Sequence, residues 1–398
     1  MKYIKIGIRK NLLYPFMFML FIFLQRIVRE ILELNYEEIV PFLLGILNFF
    51  SYLIFGSILN YFFNKSNKSN ENNRILGVEL IHNEKEIRRI DSNYKIIILL
   101  FFDSFFDFIG TFRRKYSKIK IGNIECSGIN MRLRGREILF ATFIYYYTIG
   151  DKLYRHHIFS LIIIIFCLII VVINEILENK FTPKQNLEPD KLIIYLIIIS
   201  MISICRTFSD TIEKYLFEYD YLDPFKLLRS KGFIELLLGL ILLFFESSQT
   251  EIKNLFNFEQ TKYDKLPIFI LLVIAYFILG GFKNVYKTLT VKAYSPMTRA
   301  LFDSMLDIFL IIYEPIKIKI KKNESDYKEI LTVYFWINII VTIIAIFSSL
   351  VFNEFLVLYF CDLEKNAYLE IMKRGSSIEL VDTTNPINEN EFQRISEL

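Results

Sequence analysis

Apolar residues fall into ten long blocks separated by short polar breaks. The blocks run over 11–33, 39–63, 94–112, 124–149, 153–177, 191–217, 224–246, 266–289, 296–315 and 330–360. A bilayer core about 30 Å thick is crossed by ~20 apolar helical residues. Most blocks meet that length, and Leu161–Ile173 reads LIIIIFCLIIVVI without a charge. The blocks at 124–149 and 296–315 are less apolar, and the spacing of their neighbours helps to place them. The first block has no small-residue cleavage site, and its polar end carries Gln25, Arg26, Arg29 and Glu30. It therefore predicts a retained first helix rather than a cleaved signal.

The expected architecture is an all-α membrane protein of about ten transmembrane helices. Most breaks are short, which suits a compact bundle. One is long: residues 64–93 open with NKSNKSNENN, a polar tract with the composition of a disordered loop. Beyond Cys361 the chain turns polar again, which predicts a disordered tail over 363–398. The units expected are a first five-helix half over 1–180 and a second over 190–362. An odd number of spans in each half inverts the second copy, a recurrent carrier plan with the site at the repeat interface.

Composition agrees with the block pattern. The chain is 54% hydrophobic with mean hydropathy +0.38, above the usual soluble range. A net charge of +4 is too small and too dispersed to imply a nucleic-acid partner. The four cysteines (Cys126, Cys167, Cys205, Cys361) show no paired spacing and mostly sit in apolar runs, so they read as small hydrophobes. The adjacent His156 and His157 lie beside Lys152 and Arg155 and read as a loop cap rather than a metal site. No phosphate-binding glycine loop or metal-ligand spacing is present, so neither ATP-driven pumping nor a cofactor is expected.

Loop charge orients the chain. Lys2, Lys5, Arg9 and Lys10 precede the first block, and Lys65, Lys68, Arg74, Lys85, Arg88 and Arg89 occupy the long loop. Both lie on one side if ten helices alternate, and the positive-inside rule makes that side, with both termini, cytosolic. Arg113–Lys115 and the basic stretch Lys317–Lys322 argue the other way. The acceptor sequons at Asn64, Asn67 and Asn323 do not settle it.

Ionisable groups at bilayer depth usually face the bundle interior or a wet cavity. Three clusters stand out. Asp103 and Asp107 share a face of the third block, four residues apart. The fourth block carries Asn130, Arg132, Arg134, Arg136 and Glu137, with Arg132 and Arg136 on one face. The ninth carries Arg299, Asp303 and Asp307 in one stripe. They predict a polar centre that holds a charged solute. Mutual neutralisation for packing alone, or a surface position for Arg132–Arg136, would use the same residues. Lys283 and Lys287, one turn apart in the eighth block, could attract an anionic solute, but the reading preferred is a cytosolic interfacial anchor. The short likeness of FDSFFDF (102–108) to FDSMLDI (302–308) joins blocks three and nine, whereas two five-helix halves would match three with eight; it is treated as chance.

At these blocks the sequence resembles the drug/metabolite transporter superfamily, and within it the F-type branch of the solute carrier 35 family, relatives of nucleotide-sugar transporters. The likeness rests on Asp107-Phe-Ile-Gly110-Thr111, on Ser127 followed by Leu133-Arg134-Gly135, on Thr298-Arg299-Ala-Leu-Phe-Asp303-Ser304, and on Phe352-Asn353-Glu354. It covers about 95–355. Arg113-Arg114-Lys115 and Met305-Leu306-Asp307 depart from the pattern. The resemblance implies two inverted five-helix repeats around a central cavity, with Asp107, Arg134, Arg299 and Asp303 lining it. It also implies that Gly110, Thr111, Gly135 and Asn353 serve close helix packing.

The expected function is secondary-active transport or exchange of a small polar or anionic solute, by alternating access and without enzymatic chemistry. The partners expected are the lipid bilayer, that solute and a homodimer mate; the location expected is an endomembrane such as Golgi, ER or lysosome. A polytopic scaffold or receptor would call for a large ordered soluble domain, and a membrane-embedded transferase for a His-Asp or paired acidic motif at the boundary. No such domain is visible, and the one candidate for the motif, His156-His157, reads rather as a loop cap.

Overall fold

The computed structural model describes residues 4–6, 13–35, 40–71, 94–110, 135–149, 154–181, 189–242, 266–306 and 333–358. These hold ten helical segments. They are α1 (Leu13–Asn35), α2 (Val40–Glu71), α3 (94–110), α4 (Gly135–Ile149), α5 (Arg155–Phe181), α6 (Pro189–Glu218), α7 (Pro224–Leu242), α8 (Leu266–Ala293), α9 (296–306) and α10 (Val333–Phe352). Each falls on one expected block, in order.

Local sequence fixes several ends. Asp223 caps α7, its Oδ1 accepting from the Phe225 and Lys226 amides at 2.8 and 3.2 Å, and Pro224 takes the first helical position. Ser295 caps α9 in the same way, accepting from the Thr298 amide at 3.2 Å, again ahead of a proline, Pro296. α10 stops at Phe352, short of the expected limit at 360. There the Phe355 amide reaches the Leu350 carbonyl and the Glu354 amide the Val351 carbonyl, a Schellman turn that puts Glu354 at φ 59°. The chain then enters β2 (Leu356–Leu358), which pairs antiparallel with β1 (Ile4–Ile6), Ile4 opposite Leu358. This short pairing stands within an otherwise all-helical set of described residues. It joins two segments too short to carry a strand signal in the sequence. A second difference lies in α2, whose helix continues through NKSNKSNE to Glu71, into the tract expected to be loop. The rest of that loop and the 363–398 tail lie outside the described residues.

The helices pack in a definite set of pairs. α1 lies on α8, α2 on α7 and α8, α4 on α6, and α5 on α10. α3 meets α6 through Phe106 stacked on Phe208 and through Leu100 against Leu216. α9 meets α1 through Phe302 and Leu301 around Phe18. The α2–α7 pair approaches closely, and two glycines allow it. A methyl group at Gly232 would sit 2.5 Å from the Leu53 backbone nitrogen, and one at Gly56 2.6 Å from that of Arg229. Gly232→Ala is expected to separate these backbones and lower stability by about 1–3 kcal/mol; a thermal melt in detergent reads the change directly.

Burial departs from that of a water-soluble bundle. Lys231 and Glu235 are fully buried, whereas Phe166 is 62% exposed and Leu271 67%. The exposed faces of α5, α8 and α10 are continuous apolar surfaces that include Ile162, Ile169, Ile274, Ile340 and Ile344. Among the described residues, three helical stretches are long and apolar enough to cross a membrane: Leu43–Phe62, Arg155–Asn174 and Pro267–Ala293. An apolar exterior around a charged interior, with helices of that length, is the pattern of an integral membrane protein.

Candidate functional site

Much of the charged interior among the described residues forms one connected network. Lys231 of α7 sits at its base, fully buried, with Nζ 3.0 Å from Asp103, 3.1 Å from Asp107 and 2.6 Å from Glu213. Ser209 also donates to Asp103, and Tyr52 Oη donates to Asp107 Oδ2 at 3.1 Å. Lys287 of α8 stands next, 3.2 Å from Asp210 and 3.6 Å from both Asp107 and Glu213. Arg299 of α9 follows, 2.6 Å from Asp210, 3.3 Å from Glu137 and 3.7 Å from Asp303. Arg206 of α6 closes the set, 3.3 Å from Glu137 and 4.0 Å from Asp303. Asp107, Glu213, Asp210, Glu137 and Asp303 each bridge two cations, so α3, α4, α6, α7, α8 and α9 are tied through charge. Buried ions persist in a low-dielectric interior only when paired and hydrogen-bonded in this way.

A cavity of about 160 Å³ opens above the network. α1, α2, α3, α6, α8 and α9 all contribute to its wall. Its charged lining is six basic side chains (Arg26, Arg29, Arg206, Lys283, Lys287, Arg299) and two carboxylates, Asp107 and Asp303. Glu137, Asp210 and Glu213, which neutralise the basic groups from behind, are not in the wall. The cavity therefore presents mainly hydrogen-bond donors and positive charge. Arg206 keeps 32% of its side-chain exposure here. Gly110 makes room for it, since a methyl group at that position would lie 2.8 Å from Arg206 Cγ.

Four of the expected site residues, Asp103, Asp107, Arg299 and Asp303, come together in this network. Asn130, Arg132, Arg134, Asp307 and Thr111 lie outside the described residues. Gly110 ends α3 beside the cavity, and Gly135 opens α4. Asn353 joins the start of α9 to the end of α10, its Oδ1 accepting from Thr298 Oγ1 at 2.7 Å and its Nδ2 donating to the Ser349 carbonyl. The interfacial reading of Lys283 and Lys287 is overturned. Lys287 is buried within the network, and Lys283 lines the cavity with Nζ 3.0 Å from Asn48 Oδ1. Lys287 lies six residues before the end of α8, about 9 Å inside the helix at 1.5 Å per residue.

Arg206, Asp210, Glu213 and Lys231 were not singled out in the sequence, nor was Glu137 given a role. The signal was there. Arg206, Asp210 and Glu213 stand at i, i+4 and i+7 of an apolar block, one helix face. The paired histidines form a separate cluster. His157 Nδ1 accepts from the Tyr154 amide at 3.2 Å, capping the start of α5, and His156 Nε2 lies 3.3 Å from Glu354.

Fold and site together define a helical membrane protein built around a buried ion network and a basic cavity. Neither the protein-family models nor the curated proteins compared with this chain match it.

Proposed function

We propose that this protein is a secondary-active carrier that moves or exchanges a small anionic solute by alternating access. The observation that carries the reading is the cavity. Six basic side chains from α1, α6, α8 and α9 converge on a space inside the bundle, and a layer of carboxylates behind them limits the net charge. A solute anion can then bind without being trapped, because releasing it returns Lys287, Arg299 and Arg206 to carboxylate partners.

The helix pairing supports ten spans in two inverted halves. Adding five to each helix number turns α1–α8 into α6–α3, and α4–α6 into α9–α1, and all four contacts exist. α2–α7 and α5–α10 are their own counterparts. This exchange is what a pseudo-two-fold axis in the membrane plane would produce, with the site at the repeat interface. It also fits the drug/metabolite transporter plan, in which the F-type solute carrier 35 branch is the resemblance on which the motif order rests. An endomembrane location with cytosolic termini remains part of that proposal.

Purified protein in proteoliposomes tests the reading with a panel of labelled phosphate, sulfate, carboxylate and nucleotide anions. Saturable uptake of at least one anion above protein-free vesicles is expected. A folded protein that moves none of them would exclude anion transport.

A further inference from the structure

We infer that the central cavity is a site for a compact oxyanion, of the size of phosphate, sulfate or a short-chain carboxylate, held chiefly by Lys283 of α8 and Gln25 of α1. This narrows the carrier reading above and rests on it. It departs from the nucleotide-sugar cargo that the family resemblance would suggest.

The first observation is the distribution of partners among the cations. Lys287, Arg299 and Arg206 each meet at least two carboxylates. Lys283 meets none within ion-pair distance among the described residues; its Nζ donates to Asn48 Oδ1, which also accepts from Asn284 at 3.4 Å. Only one donor hydrogen of the Lys283 amino group is used by Asn48, so Lys283 keeps donor capacity for a ligand.

The second is Gln25. It lines the same cavity, is 7% exposed, and its Nε2 has no hydrogen-bond partner. A buried amide left unpaired is destabilising, so an acceptor supplied by a ligand would be strongly favoured there. Gly280 positions it: a methyl group on Gly280 would lie 2.7 Å from Gln25 Nε2 and 3.7 Å from Asn48 Oδ1. The glycine, one turn before Lys283, thus lets the amide settle against α8 beside the lysine's own partner. Both free donors therefore occupy one end of the cavity, where only an acceptor-bearing group satisfies them.

The third is size. A volume of about 160 Å³ lies well below the ~300 Å³ at which drug-sized sites begin. A tetrahedral oxyanion or a small carboxylate fits. A nucleobase, ribose, diphosphate and hexose together do not. Asp107 and Asp303 on the wall repel any further negative charge, so the ligand's charged group is confined to the α1–α8 end.

Titration calorimetry on the purified full-length protein, with sodium phosphate, sodium sulfate, sodium succinate and UDP-glucose, tests this. At least one compact oxyanion is expected to bind and UDP-glucose is not. Lys283→Gln should weaken that binding by about tenfold or more, and Gln25→Leu by about threefold or more, the loss of one ammonium and one amide donor to the anion. Size-exclusion profiles show whether each variant is folded, and Gln25→Leu alone decides if Lys283→Gln is not. Binding of none of the compact anions, UDP-glucose binding as tightly as the best of them, or affinity unchanged in the folded variants would each overturn the inference. The two readings fail separately. Transport of UDP-glucose would remove the compact-anion site and leave the carrier. Phosphate bound through Lys283 that never crosses a vesicle membrane would remove the carrier and leave the site.

Discussion

Lys231→Met is expected to lose most of the folded protein. Lys231 Nζ meets Asp103, Asp107 and Glu213, and all three carboxylates are buried. Methionine fills the space but leaves those carboxylates without their shared cation. Removing one partner of a buried ion pair costs about 3–5 kcal/mol, and here three acids lose it at once. Lys287 remains 3.6 Å from Asp107 and Glu213, yet it is already committed to Asp210. Yield of monodisperse protein and the midpoint of a thermal melt in detergent are the readouts. Native yield with an unchanged melt would mean that the network is incidental to folding. Lys231→Met combined with Asp103→Asn and Glu213→Gln should recover part of the loss, because the amides remove two of the stranded charges.

Arg299→Ala is the second large effect, and it separates folding from transport less cleanly than Asp107→Asn. Arg299 holds Asp210 at 2.6 Å and Glu137 at 3.3 Å, linking α9 to α6 and α4. Truncation leaves both carboxylates buried without it, at a cost of about 3–5 kcal/mol. It also removes a basic group from the cavity wall. Uptake in proteoliposomes should fall to the protein-free level, with a lowered melting temperature. Asp107→Asn keeps an oxygen for Tyr52 Oη to donate to and leaves Lys231 two other acids. It should fold close to normally while uptake falls at least tenfold, because Asp107 reaches from the network into the cavity wall. Normal uptake in both variants would place the solute path elsewhere.

Much of the bundle was legible in the sequence because a bilayer imposes a simple rule on length and polarity. Ten blocks became ten helices, and the blocks that carry Asp103, Asp107, Arg299 and Asp303 became the walls of the polar centre. The partners of those residues were harder to read. α6 and α7 look like ordinary apolar spans with charges near one end, so Arg206, Asp210, Glu213 and Lys231 pass for interfacial groups. Whether such a charge faces headgroups or protein depends on the neighbouring helix, and the neighbour is set by contacts such as Gly232 on Leu53 that no window of hydropathy records. Lys287 illustrates the same limit, since an anchoring lysine and a buried one have identical local sequence. The β1–β2 pair was beyond reach for another reason. Each strand has three residues, and their pairing is fixed by the turn at Glu354 and by the fold that brings the two chain regions together.

The central claim is that an anion crosses the bundle by alternating access. Trans-stimulated exchange tests it most directly. Proteoliposomes preloaded with an unlabelled anion that the protein binds are diluted into the same anion carrying a label, and entry is followed over time. A carrier should show saturable entry that is accelerated by the internal anion and lost in Arg299→Ala. Entry that is absent, or that rises linearly with concentration and ignores the internal anion, would contradict it.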